Sequence, residues 1–394
     1  MKKIFLYIVT LFIFSSCATI SSKTFVTDPR VLLCNKKKIQ EGNKELNKAK
    51  SELIKEADAI LEKKELYSVT YKKQIPPSQS KNDYYSIAPY WWPDDTKPEG
   101  NPYIRKDGKV NPESREITDS DMLGSISTDV YKLGLAYFYT EDDKYVKWIN
   151  RLIAVFFIDS ETRMNPNFNY AQIIKGRSRS EGGSVTIGAM SFIRLIEGVQ
   201  LAQESNLFDK QQFKELKNWF SDFTHWMEND KSSQVESKAK NNIGVYYTAQ
   251  VVTYNLFVGN ELEAKKILET KGKDIIEKQI DRDGKLEAEL KRATPWEYVR
   301  YTITAFDYLV QLSNKLGVDL YYYESSKGGS IDKMYKYLIP YAQGKHKWRY
   351  SKENVSSTQV QKVLLRSNIS KYKTRVENKN VGLTYLEILT NSIY

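Results

Sequence analysis

Histidine and cysteine occur only twice each in 394 residues. That is too few for a zinc site at the usual His and Cys spacings, so neither a metal nor any other cofactor is expected. It also rules out a disulfide scaffold. No apolar run reaches the roughly 20 residues of a membrane-spanning helix; the N-terminal one, Ile4 to Phe14, is short. Long alternation of polar and apolar residues is missing, which argues against a large sheet. No repeat of fixed period is present. The lysines are scattered and no nucleic-acid-binding motif accompanies them, which disfavours nucleic acid as a partner.

What the chain does have is positive charge and aromatic rings. The formal net charge is +11, with 28 Tyr and 7 Trp. A basic surface suits an acidic polysaccharide, and flat aromatic faces suit sugar rings, although most of these rings are expected in the core. The N-terminus reads Met1-Lys2-Lys3, the short apolar run, then Ser15-Ser16-Cys17. A basic start before a short apolar run is an export signal. The Cys after two small residues resembles a bacterial lipoprotein cleavage site. Residues 1–17 are therefore expected to be a leader with Cys17 lipidated. That implies a cell-envelope protein, periplasmic or at the outer membrane, touching the membrane only through its anchor. Cys34 is then left without a disulfide partner.

Residues 18–35 are polar and aperiodic and read as a tether. Residues 36–394 read as one domain. Ile39, Leu46, Ala49, Leu53, Ala57 and Leu61 recur at helical spacing within Lys37 to Lys64. Seven prolines between residues 65 and 117 forbid long helices there, yet the segment is rich in Tyr and Trp, as an ordered loop would be. From Thr118 helical patterns recur at about 119–139, 142–157, 184–205, 209–228, 241–257, 260–278, 296–316, 330–343, 354–367 and 380–392. The class is all-α. Pattern alone leaves open a bundle, a solenoid or a closed toroid of helical hairpins.

Two stretches suggest chemistry. In Lys240 to Gln250, KNNIGVYYTAQ, Asn241 and Asn242 supply short amides that cap a helix or grip a carboxylate. In Glu289 to Tyr301, ELKRATPWEYVRY, Arg292 precedes Tyr298 by six residues. An amide, a guanidinium and a phenol form a set able to eliminate across a uronic acid. These stretches, with DYYSIAPYWWPDD (Asp83 to Asp95), NPYIRKDGKVNPE (Asn101 to Glu113) and ETRMNPNFNYAQ (Glu161 to Gln172), resemble the alginate lyase superfamily. The likeness runs from about Leu46 to Asn314.

The resemblance selects an α/α toroid, an incomplete barrel of helical hairpins carrying the Pro- and aromatic-rich loop segment. It implies a lyase that cleaves a 4-linked polyuronate of alginate, mannuronan or glucuronan type by β-elimination. The other reading is a non-catalytic protein that binds uronate polysaccharides on a lyase fold. Asn242 matches the family's carboxylate-binding Asn and Tyr298 its catalytic acid/base. Arg292 is expected to pull the phenol below its usual pKa of about 10. Asn241, Glu289, Tyr247, Trp91, Trp92, Arg177, Arg179 and Asn169 are the expected substrate-binding residues. Glu289 would orient the Arg or bind sugar, and Trp91, Trp92 and Tyr90 would stack on rings. Two positions depart from the family pattern. Ile243 stands where the family has its catalytic His, and Asn82 stands at a second His position. Neither His225 nor His346 lies where it would replace the first.

Overall fold

The computed structural model describes residues 24–178, 185–350, 353–367, 372 and 381–393. Cys17, Arg179 and the expected leader lie outside them. The chain opens with helices α1 (Pro29–Gln40) and α2 (Lys44–Lys63). The tether expected at 18–35 is therefore too long, because from Thr24 the chain is part of the packed body. The buried Glu197 carboxylate accepts the backbone N–H groups of Phe25, Val26 and Thr27 at 2.5, 3.0 and 3.0 Å. Leu32 is fully buried. An acceptor 170 residues away leaves no periodic mark on the arm it holds. The helix expected over 37–64 is split at Gly42, and Asn43 caps the second half by accepting from the Leu46 N–H.

The Pro-rich segment forms two small sheets. Strand β1 (Tyr85–Ile87) runs parallel to β4 (Tyr170–Ile173), with Tyr85 opposite Tyr170 and Ile87 opposite Ile173. Strand β2 (Trp91–Trp92) runs antiparallel to β3 (Ile104–Arg105), with Trp91 opposite Arg105. Strands of two to four residues are too short to show alternation. They carry their own small core of Ala88, Tyr103 and Ile174, against which Trp91 packs. A buried ion pair fixes the segment to the body. Lys72 Nζ lies 3.0 Å from Asp119 Oδ2, with both side chains fully buried. Lys72 also donates to the carbonyls of Val69, Lys81 and Asp83. Asp119 accepts the Tyr85 N–H. Burial raises the Asp119 carboxyl to about 6 even though Lys72 pulls it down.

The body is helical, as the class reading has it. Helix α3 (Asp119–Thr140) is followed by α4 (Lys144–Ile153), α5 (Phe192–Ala202), α6 (Lys210–Asn229), the short α7 (Lys231–Glu236) and α8 (Asn242–Val258). Next come α9 (Glu261–Ile267), α10 (Lys273–Gln279), the one-turn α11 (Glu287–Leu290), α12 (Pro295–Lys315), α13 (Ile331–Ala342), α14 (Ser357–Arg366) and α15 (Tyr385–Thr390). Helices α3, α5, α8 and α12 lie side by side as an inner row, with α2, α4, α6 and α9 packed outside it. This alternation of inner and outer helices is the toroid of hairpins.

Helix α8 is apolar on every side and buried on every side. The hydroxyls of Thr248 and Thr253 and the amides of Gln250 and Asn255 bond back to carbonyls four residues earlier, so no polar face is needed. Helices α3 and α5 cross at Gly134 and Gly198. A Cβ on Gly134 would lie 2.3 Å from the Gly198 carbonyl oxygen, and one on Gly198 would lie 2.3 Å from that of Val130. Only glycine permits this approach. Among the described residues no helix is long and apolar enough to cross a membrane.

Candidate functional site

A cleft of about 690 Å³ lies between the head of α8, the head of α12 and the β2–β3 segment. Asn241, Asn242, Ile243, Arg292 and Tyr298 all line it, joined by Tyr90, Trp91, Arg105, Gln172, Glu236 and Arg300. Residues fifty apart in sequence meet here because α8 and α12 are neighbours in the inner row.

Asn241 caps α8, its Oδ1 accepting the Ile243 N–H. Asn242 is the first helical residue. Its backbone N–H and its Nδ2 both donate to Glu289, at 2.5 and 3.0 Å. Glu289 itself is 1% exposed. It holds the amide from behind and does not line the cleft, so its expected sugar contact is replaced by a positioning role. Burial raises its carboxyl's pKa against the pull of Asn242 and Arg292. The tight approach of the preceding turn requires Gly244, where a Cβ would lie 2.2 Å from the Ala239 carbonyl oxygen.

Arg292 precedes α12 and folds back over it, its guanidinium 3.5 Å from the centroid of the Tyr298 ring. Nε and Nη2 grip Asp107 at 3.1 and 2.8 Å. Asp107 also takes Arg105 Nη2 at 2.8 Å, so one carboxylate ties two cleft arginines together. The Tyr298 hydroxyl lies 3.4 Å from that of Tyr90. Here the expectation about the phenol is corrected. Burial raises the Tyr298 pKa above its ordinary value, the Tyr90 contact adds to this, and the opposing pull of Arg292 does not offset them.

The remaining expected residues divide. Trp91 lines the cleft, and the Arg177 guanidinium lies 4.9 Å from its ring centroid. Arg177 itself is not in the lining; its Nε donates to the Tyr103 carbonyl. Trp92 is outside the lining, its Nε1 donating to the Lys109 carbonyl. Asn169 is also outside, its Oδ1 accepting from Trp226 Nε1. Tyr247 is fully buried, its hydroxyl donating to the Met227 carbonyl; it is a core residue and leaves the substrate-binding set. Arg179 lies outside the described residues. Asn82 donates its amide to the carbonyls of Ser160 and Arg163 and shapes the loop. His225 and His346 are exposed and do not line the cleft. Among the described residues no group of His, Cys, Asp and Glu is placed to hold a metal.

Several residues in or behind the lining escaped the sequence reading. Arg105 and Asp107 sit within a stretch quoted above, but nothing local shows that they meet Arg292. Gln172 adopts φ +46°, a strained setting for a residue other than glycine and one that recurs at functional sites. Glu236 is a buried carboxylate whose oxygens accept the Thr186 N–H and hydroxyl. Burial raises its pKa to about 7. The folded chain thus holds this proton more tightly than the unfolded chain, and stability falls as pH rises between the ordinary value of 4.5 and about 7. Glu236→Gln should be more stable than the parent at pH 8, by up to about 3 kcal/mol. Most of that gap should close at pH 5. Urea unfolding at the two pH values checks it, and equal gaps would mean that Glu236 titrates normally.

A model of the alginate lyase family matches residues 68–348. Among solved structures, an alginate lyase from Bacteroides ovatus is 31% identical, with 94% of this chain and 96% of that one covered and a TM-score of 0.82. A variant of alginate lyase A1-III complexed with tetrasaccharide is 14% identical, with 92% of each chain covered and a TM-score of 0.53, a likeness of fold. No curated protein matches the sequence.

Proposed function

The chain belongs to the alginate lyase family, and from that premise we propose that it cleaves a 4-linked polyuronate by β-elimination, with Tyr298 moving the proton. The observation that carries this reading is the meeting of Asn242, Arg292 and Tyr298 in one cleft. A uronate's C5 proton resists removal because the neighbouring carboxylate is negative. Hydrogen bonds and positive charge from Asn242 and Arg292 offset that charge, and fixed donors at developing charge are usually the largest catalytic contribution. The Tyr298 phenolate takes the C5 proton, the C5 electron pair forms the C4–C5 double bond, and the C4–O4 bond breaks. The new phenol returns its proton to O4. No other proton carrier is needed when proton and leaving group share one face of the sugar.

Ile243 supports that geometry. The second family position for proton transfer is apolar here, so an elimination that needs a base on the opposite face is disfavoured. The same residue also supports the other reading, a uronate-binding protein without turnover. A panel of polyuronates, followed by the ultraviolet absorbance of the unsaturated product, separates the two. Ile243→His should raise turnover roughly ten-fold or more on at least one polymer, the low side of what one acid–base group supplies. A folded variant that binds oligouronates yet forms no unsaturated product on any of the panel would favour the binding protein. The envelope location belongs to the same proposal: a lipid on Cys17 would keep such an enzyme where polymer is delivered.

A further inference from the structure

Against the head of α12, the turn from Gly344 to Tyr350, GKHKWRY, carries three cations and no carboxylate. Lys345, Lys347 and Arg349 are exposed. Among the described residues none of them is in an ion pair, although most cations nearer the active residues are; Arg292 has Asp107 and Arg300 has Glu297. The turn is built rather than loose. The N–H groups of Lys345 and His346 both donate to the Pro340 carbonyl, at 2.9 and 3.2 Å. Trp348 is buried beneath it and meets Trp296 edge-on, with centroids 5.3 Å apart. Trp296 belongs to the first turn of α12, between Thr294 and Glu297, both of which line the cleft. The turn, an outer rim of that helix end, is therefore anchored to the element that supplies Thr294, Glu297 and Tyr298 to the cleft.

Phenols stand among them. Tyr341 and Tyr350 pack on Trp348 with centroids 5.5 and 5.0 Å away. Tyr337 joins the other two through its hydroxyl. Tyr350 keeps 38% of its surface exposed. Unpaired cations on a backbone-bonded turn, beside hydroxyls and an open aromatic face, suit a chain that is anionic and polyhydroxylated.

Resting on the lyase reading above, we infer that this rim is an outlying binding surface for the polyanionic glycan, engaging sugar units that run out of the cleft. Its contribution is to holding long polymer and not to the bond-breaking step. Exposed charges act through water and are screened over about 8 Å at physiological salt, so the effect is largest at low ionic strength.

The test is the triple substitution Lys345→Ala, Lys347→Ala and Arg349→Ala in the full chain. A second triple, Lys44→Ala, Lys48→Ala and Lys55→Ala on α2, removes the same charge elsewhere. At low salt the rim variant should show a KM for long polyuronate raised by about ten-fold, from three weak surface contacts together. Its kcat, and its KM for a trimer of the same uronate, should be unchanged. The α2 variant should match the parent. An unchanged polymer KM overturns the inference, as does an equal rise for the trimer or an equal loss in the α2 variant. Retardation in a polyuronate gel, read on a Tyr298→Phe background, needs no turnover. A parent retarded no more than its rim variant overturns the rim alone, and a parent not retarded at all overturns the lyase reading with it. Duplex DNA retained as firmly as the glycan would overturn the choice of partner.

Discussion

Tyr298→Phe should abolish product formation, lowering kcat by at least the 10²–10⁴-fold typical of one positioned acid–base group, while oligouronate binding stays within a few-fold. The upper end is expected, because in the proposed mechanism one phenol both takes the C5 proton and returns it to O4. Phe keeps the ring on which the Arg292 guanidinium rests at 3.5 Å, so the Arg292 side of the cleft is preserved. The parent should also have a distinctive pH profile. Burial raises the Tyr298 pKa, so the phenolate is scarce near neutrality and turnover should climb as pH rises into the alkaline range. Single-turnover kinetics and calorimetric binding on the same variant decide the matter. Near-normal kcat in Tyr298→Phe would reduce the residue to a packing role.

Lys72→Met should cost about 3–5 kcal/mol of stability, the usual result of leaving one partner of a buried ion pair alone. Met matches the length of the Lys stem and removes only the ammonium. Asp119 would then be a buried carboxylate without its counter-charge, and three carbonyls of the Pro-rich segment would lose their shared donor. Adding Asp119→Asn should recover part of the loss, because the stranded charge goes with it. Urea unfolding of the single and double variants measures both steps. A loss under about 1 kcal/mol for the single variant would place the pair among weak, solvated contacts.

Much of this molecule could be read from its residues, for definable reasons. Most helices announce themselves because they must hide apolar residues at helical spacing, and the long ones of α3 to α15 fall close to their expected positions; the short α7 and α11 match no expected helix, and α9 and α10 divide a stretch expected as one. The arm at 24–28 could not be read, since Glu197 holds its backbone and backbone carries no sequence signal. In the cleft, Asn242, Arg292 and Tyr298 were legible from two short stretches. Arg105 and Asp107 were not, because their roles exist only once the β2–β3 segment lies against α12. Tyr247 departs from its expected role for the opposite reason. It adjoins the Asn pair in sequence, but α8 is enclosed on all sides and turns that ring into the core.

The two sides of the cleft are rooted in different places. Asn242 and Tyr298 rise from helices embedded in the main apolar mass, whereas Trp91 and Arg105 belong to a segment whose private core is three residues. Such small units open at a lower free energy than the whole molecule. As temperature climbs, the grip on substrate should slacken while the chemical step still runs, so warming first makes the enzyme less selective about what it holds and only later stops it.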